Sequence, residues 1–173
     1  MPGRYIERDI EKILKTAVEQ FPSVIVTGPR QSGKTTLLKH LFLKSHRYVS
    51  MDNPELRLMA SDEPMLFFEN YPPPIIIDEI QHTPHLFSYI KILIDRNRNV
   101  YGQFLLTGSQ SFPLMAKVGE SLGGRIGVFT LLPFSFREQF GKSPPEDFNE
   151  LRKRVLTGGF PEVVTRKRIN LEL

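Results

Sequence analysis

The sequence predicts an α/β fold built on a parallel sheet, and three observations carry that prediction. Three short runs, Val24-Ile25-Val26, Ile75-Ile76-Ile77 and Phe104-Leu105-Leu106, are apolar throughout and each is followed by small or polar residues. Strands buried on both faces need such continuous runs, whereas half-exposed strands alternate. Segments with helical spacing lie between them, so the order reads strand, helix, strand, helix. The 173 residues, 40% hydrophobic and 24% charged, suit one globular domain with a sizeable core and room for a small appendage. Right-handed crossovers then place a ligand site beyond the carboxyl ends of the strands.

The elements follow in order. After the first run, Leu37, Leu38, Leu41 and Phe42 form the apolar stripe of a helix. Arg47-Tyr48-Val49-Ser50-Met51 reads as a second strand, and Asn53-Pro54 as a helix start, a polar cap followed by a proline in the first turn. Leu58-Met59 and Met65-Leu66-Phe67-Phe68 read as core or interface rather than a cofactor box. Thr83-Pro84 starts the helix whose stripe is Leu86, Ile90, Leu93 and Ile94, and a fifth strand is expected near 126–131. From Pro133 the texture changes, with Ser143-Pro144 and Glu146 offering a capping box and Gly158-Gly159 a turn. The expected division is a nucleotide-binding core over 1–132 and a helical appendage over 133–173. The last residues carry no stop signal, so the chain is expected to continue into a further region.

Several classes are excluded early. The sequence has no cysteine, which removes disulfides, thiolate zinc sites and a Cys nucleophile. No apolar run approaches the roughly 18 residues of a membrane span. Residues 1–15 mix Arg4, Arg8, Lys12 and Lys15 with Glu7, Asp9 and Glu11, unlike a signal or transit peptide, so a cytoplasmic protein without a membrane partner is expected. The net charge of +4 permits an anionic partner without requiring nucleic acid.

The chemistry begins at Gly28-Pro29-Arg30-Gln31-Ser32-Gly33-Lys34-Thr35, which matches G-x-x-x-x-G-K-[ST] at every specified position, with a strand before it and a helix after. Backbone N–H groups wrap a phosphate chain only where a side chain does not block the approach, hence the glycines. The following helix points its positive dipole end at the same phosphates. Lys34 adds charge for the β- and γ-phosphates, and the Thr35 hydroxyl is a candidate Mg²⁺ ligand. Thr36 continues the loop, and Arg30 and Gln31 are either ligand contacts or solvated side chains.

The run Ile75-Ile76-Ile77 ends in Asp78-Glu79. At this place in phosphate-loop proteins an Asp holds Mg²⁺ and an adjacent Glu deprotonates the attacking water, which makes Asp78 the metal candidate and Glu79 the base. An activated water favours hydrolysis over transfer to an acceptor. Neither Asp-x-x-Gly after Asp78 nor Asn-Lys-x-Asp occurs, so ATP is favoured over GTP. At Thr107-Gly108-Ser109-Gln110 one side chain is expected to face the γ-phosphate, with Ser109 the first choice and Thr107 and Gln110 next. A plain turn is the alternative.

Together these motifs resemble the AAA+ ATPases of bacteria and archaea in which a phosphate-loop domain precedes a second domain. The resemblance rests on Tyr5-Ile6-Glu7-Arg8, the loop through Leu38, Ile76-Ile77-Asp78-Glu79-Ile80-Gln81 and Leu105-Leu106-Thr107-Gly108-Ser109. It continues through Ser121-Leu122-Gly123-Gly124-Arg125, Leu131-Leu132-Pro133-Phe134-Ser135-Phe136 and Gly158-Gly159-Phe160-Pro161-Glu162. It implies a sheet of order 5-1-4-3-2, Mg²⁺-dependent ATP hydrolysis and γ-phosphate sensing from Ser109. Arg125 matches a Gly-Arg position and is implied as an arginine finger, in its own site or toward a neighbouring subunit of a homo-oligomer. A surface arginine entering a strand is the alternative.

Two smaller features have plainer readings. His82 and His85 lack a third ligand nearby in sequence and are not expected to bind zinc. Arg152-Lys153-Arg154 and Arg166-Lys167-Arg168 fit solvated helix faces or a domain contact before a nucleic-acid backbone. The leading functional expectation is an ATPase driving a macromolecular client. The second is an ATP-gated module binding DNA, RNA or protein with negligible hydrolysis, and the third a phosphotransferase with a small acceptor.

Overall fold

The computed structural model describes residues 5–109, 112–141 and 147–165. Five strands, β1 (Ser23–Gly28), β2 (Arg47–Ser50), β3 (Ile75–Asp78), β4 (Phe104–Ser109) and β5 (Ile126–Thr130), form one sheet whose registered pairs are all parallel. Their spatial order is β2-β3-β4-β1-β5, the implied 5-1-4-3-2 order read from the other edge.

The burial explains the sequence pattern. Every residue of β1 and β3 is buried, and so is all of β4 except its last residue, while the edge strands β2 and β5 are partly exposed. The continuous apolar runs conceal an alternation between two cores. Val24, Val26, Ile76 and Leu105 pack in the cluster that also holds Leu14 and Ala17 of α1 (Glu11–Gln20) and Leu37, Leu38 and Phe42 of α2 (Lys34–Phe42). Ile25, Ile75, Ile77, Phe104 and Leu106 pack in the other, with residues of α3 (Pro54–Asp62), α4 (Pro64–Asn70), α5 (Leu86–Arg96) and α6 (Phe112–Leu122). Helices thus cover both faces, as an all-parallel sheet requires.

Local chemistry sets the helix starts. The Asn53 side chain accepts from Glu55 N at 2.9 Å and Leu56 N at 3.3 Å, with Pro54 in the first turn. Thr83 does not cap the next long helix. The chain leaving β3 first turns through Glu79 and a 3₁₀ turn at Ile80–His82, so α5 begins only at Leu86, whose N–H bonds the Thr83 carbonyl at 3.0 Å. Phe67 and Phe68 join the core, whereas Leu58 and Leu66 are exposed.

Among the described residues, three helices lie beyond β5: α7 (Phe136–Phe140), α8 (Phe148–Thr157) and α9 (Pro161–Thr165). The capping box is at the start of α7, where Ser135 and Glu138 bond each other's backbone N–H. The expected box at Ser143 and Glu146 lies outside the described residues, as do Gln110 and Arg166-Lys167-Arg168. Phe134 N donates to Gly159 O at 2.7 Å, and a Cβ on Gly159 would sit 2.3 Å from Phe134 O, so this contact requires glycine. Among the described residues no helix is long and apolar enough to cross a membrane.

Candidate functional site

The parallel register carries the strand ends to one edge of the sheet. Gly28 pairs with Ser109, and Ser50 with Asp78, so the loop after β1 lies at the same edge as the ends of β2, β3 and β4. Gly28 has φ +143°, and a Cβ there would stand 2.2 Å from Leu131 O, so the loop's first position admits only glycine. Gly33, at φ +95°, precedes α2 and supplies no side-chain cap, which leaves the helix's first N–H groups pointing into the loop. Lys34 is only 4% exposed, and its Nζ donates to Gly28 O at 3.1 Å and Pro29 O at 2.8 Å. Burial pushes its ammonium below the ordinary lysine value, while Glu79 and Asp78 pull it back up. Arg30, Gln31 and Thr36 are exposed, and the buried Ser32 hydroxyl has no protein partner.

The acidic pair is wired to two neighbouring strands and to α2. Asp78 Oδ1 accepts from Thr35 Oγ1 at 2.7 Å and from Thr107 Oγ1, and Asp78 Oδ2 accepts from Tyr48 OH at 2.9 Å. Thr35 and Asp78, the two expected metal ligands, are therefore in direct contact, and their oxygens suit a hard cation such as Mg²⁺. Burial and the Asp78 carboxylate push the Tyr48 phenol up to about 12, so it remains a donor. Glu79 stands in the left-handed region at φ 56°, a conformation costing a non-glycine residue about 1–3 kcal/mol, and its N–H donates to Thr107 Oγ1 at 3.0 Å. Gln81 Nε2 donates to Glu79 Oε2, and Ser109 N donates to Gln81 Oε1 at 3.2 Å.

Three features of the structure go beyond the sequence reading. Thr107, ranked below Ser109, is the β4 side chain inside the acidic pair, whereas Ser109 bonds Gln81 through its backbone N–H. Tyr48 and Gln81 were missed as site residues, because only the β2–β3 register and the turn after β3 bring them in. Arg125 lies away from its own loop. It precedes β5, and its carbonyl accepts from Ser23 N at the start of β1, so it sits at the opposite edge of the sheet, about 16 Å away along the strand. There its guanidinium makes a two-pronged bond to Asp95, at 2.9 and 3.1 Å, which holds that carboxyl below the ordinary carboxylate range.

Arg8 is the larger omission. It is buried beneath the loop, where NH1 donates to Ser32 O at 3.0 Å, NH2 to Leu132 O at 2.6 Å and Nε to Glu138 at 2.9 Å, with the guanidinium 4.4 Å from the Phe134 ring centroid. One side chain thus ties the loop to the chain leaving β5 and to α7. A cavity of about 240 Å³ opens beside it, walled by Ile6, Leu37, Phe134 and Pro161 and reaching Gly33 and Thr36. Burial disfavours the Glu138 carboxylate, but hydrogen bonds from Arg8, Ser135 and Asp9 outweigh it and hold its pKa below the ordinary glutamate value. A depressed folded pKa stabilises above the unfolded value and is lost as pH falls through the folded one. Glu138→Gln should therefore lower the melting temperature at neutral pH, and the gap from wild type should close as the solution is acidified below the ordinary glutamate range.

His85 Nε2 meets Ala60 O at 2.8 Å, His82 lies 3.4 Å from Asp52, and among the described residues no cluster of three metal-binding side chains occurs.

A glycine loop between a buried strand and a helix, facing an acidic strand end two strands away, defines a phosphate-loop nucleotide-binding domain of the ATPase kind. The AAA domain family matches residues 20–140, and the chain belongs to that family. Uncharacterized proteins of Mycobacterium tuberculosis and Mycobacterium bovis are each 35% identical to it over 162 residues, covering 92% of this chain and 34% of theirs. One of Methanocaldococcus jannaschii is 28% identical over 188 residues, 93% of this chain and 40% of that protein. The chain therefore spans well under half the length of these relatives. The same fold occurs in the Walker-type ATPase of Pyrococcus abyssi, with TM-score 0.60 and 17% identity over 92% of this chain and 66% of that one. It occurs also in a signal transduction ATPase with numerous domains from Pyrococcus horikoshii, with TM-score 0.53 and 17% identity over 95% of this chain and 29% of that one.

Proposed function

We propose that this domain binds ATP with Mg²⁺ and hydrolyses it, driving or switching a macromolecular client. The observation that carries the reading is the contact of Thr35 with Asp78 beside Lys34, with Glu79 one residue further on. Gly28, Pro29, Arg30, Gln31, Ser32 and Gly33 form the phosphate cradle, Lys34 neutralises the β- and γ-phosphates, and Thr36 borders the cavity that takes the adenine ring. Thr35 and Asp78 would hold Mg²⁺, which would supply positive charge to offset that of the phosphates. Glu79 takes a proton from water as its oxygen attacks the γ-phosphorus. The bond to the β–γ bridging oxygen breaks with its electron pair, leaving ADP and phosphate. Ser109 lies where β4 meets the γ-phosphate side of the site.

Arg125 faces away from this loop, so its proposed role in turnover is across a subunit boundary in a homo-oligomer. The decisive test is release of phosphate from ATP with Mg²⁺, measured against protein concentration with mass in parallel. The reading expects Mg²⁺-dependent release, with specific activity rising as subunits associate. No release at any concentration would refute hydrolysis, and a flat profile would remove the role for Arg125.

The second reading, an ATP-gated module for DNA, RNA or protein, is favoured by Arg8. A loop that rearranges around phosphate pulls on the Ser32 carbonyl and hence on Leu132 and Glu138. On this reading residues 133–173 form the responding unit.

A further inference from the structure

We propose that Gln81 is a positioning residue for hydrolysis, fixing the Glu79 carboxylate to the backbone at the end of β4. The inference rests on Glu79 being the base. The two carboxamide atoms of Gln81 are used in series: Ser109 N donates to Oε1 and Nε2 donates to Glu79 Oε2. The first bond fixes the orientation of the amide, since a flipped amide would present N–H to N–H at Ser109. The second then holds one carboxylate oxygen of Glu79 and leaves the other for water. A carboxylate on a flexible two-carbon stem loses rotamer freedom when it must reach one reacting atom, and a fixed donor meets that entropy cost before substrate arrives.

Two independent features of the backbone serve this arrangement. Glu79 adopts φ 56° and the chain closes a 3₁₀ turn, His82 N to Glu79 O at 3.1 Å, which brings the side chain two residues on back toward its own. On the opposite strand Gly108 leaves the space. A Cβ there would stand 3.1 Å from Gln81 Oε1 and 2.7 Å from Leu114 Cδ2. The glycine between Thr107 and Ser109 thus admits the Gln81 amide to the Ser109 N–H. Because the amide is anchored on β4, any shift of that strand end on phosphate binding moves the Glu79 carboxylate with it.

The test uses Gln81→Ala, Glu79→Gln and the double variant. Turnover is measured at saturating ATP with Mg²⁺, ATP affinity by calorimetry and folding by thermal melting. The expected result is a fall in kcat of about tenfold or more for Gln81→Ala with ATP affinity within about twofold of wild type. In the Glu79→Gln background, removal of Gln81 should change single-turnover hydrolysis no further, because its effect runs through the carboxylate. Gln81→Glu, which places like charges together, should be at least as slow as Gln81→Ala. Wild-type kcat for Gln81→Ala, or an equal fall in both backgrounds, would overturn the proposal while leaving Glu79 as the base. Wild-type turnover by Glu79→Gln would remove the base assignment and this inference with it. If Gln81→Ala melts early, Gln81→Met, which keeps the volume without the amide, repeats the comparison in a folded protein.

Discussion

Lys34→Ala should abolish ATP binding while leaving the fold at least as stable as wild type. The Lys34 ammonium is buried at the mouth of the loop, and burial pushes its pKa down, so in the absence of phosphate the folded state carries a charge it disfavours. A folded pKa below the unfolded one means that the protonated lysine costs stability at neutral pH, and its removal relieves that cost. The bonds to the Gly28 and Pro29 carbonyls partly offset the cost, and those carbonyls sit on a loop open to water once the side chain is gone. With ATP the balance inverts. Charge-assisted bonds to phosphate are worth about 1.5–3 kcal/mol each, so losing two weakens binding by roughly 10²–10⁴-fold. Calorimetry should find no measurable ATP affinity, and the rise in melting temperature that ATP with Mg²⁺ gives wild type should vanish. An affinity within about threefold of wild type would show that the loop amides alone hold the phosphates.

The strands, their parallel sense and the edge carrying the site were legible in the sequence, because burial on both faces leaves apolar runs that local reading detects. Gly28, Lys34 and Thr35 were legible as candidates because the phosphate loop is contiguous and its spacing is the chemistry, and Asp78 because an acidic pair directly ends the apolar run of β3. Arg8, Tyr48 and Gln81 were not. Arg8 meets Ser32 across 24 residues and Leu132 across 124, and Tyr48 meets Asp78 across 30, distances in sequence that only the sheet order spans. The placement of Arg125 has another origin. An arginine entering a strand of an all-parallel sheet lies at the amino ends, away from the loop, but its partner Asp95 lies 30 residues back on α5, a pairing the sequence pattern does not reveal. The Thr83 cap was misplaced because the turn through Glu79 consumes residues before α5 can start, and a positive φ at a glutamate leaves no trace in propensity. The same turn that delays α5 also sets where the Glu79 side chain, the proposed base, leaves the backbone.

Glu79→Gln should separate binding from turnover. The amide replaces one carboxylate oxygen with nearly the same shape, so the backbone at φ 56° and the Glu79 N–H bond to Thr107 need not move. The Lys34 and Thr35–Asp78 contacts do not involve the substituted atoms. Affinity for ATP should stay within a few-fold of wild type, and the ATP-induced rise in melting temperature should persist. What is lost is a site able to accept the proton of the attacking water, and general-base catalysis of this kind is worth roughly 10²–10⁴ in rate. Phosphate release should fall by that factor, leaving ATP bound and unreacted. The same variant decides between reaction classes. A transferase passes the γ-phosphoryl to an acceptor hydroxyl, and with labelled ATP the label appears on that acceptor; a hydrolase yields labelled free phosphate, lost in Glu79→Gln. Label on an added acceptor with wild type would overturn hydrolysis as the main reaction. Undiminished free phosphate from Glu79→Gln would show that another group takes the proton, and Asp78, already committed to three hydroxyls, would be a poor substitute.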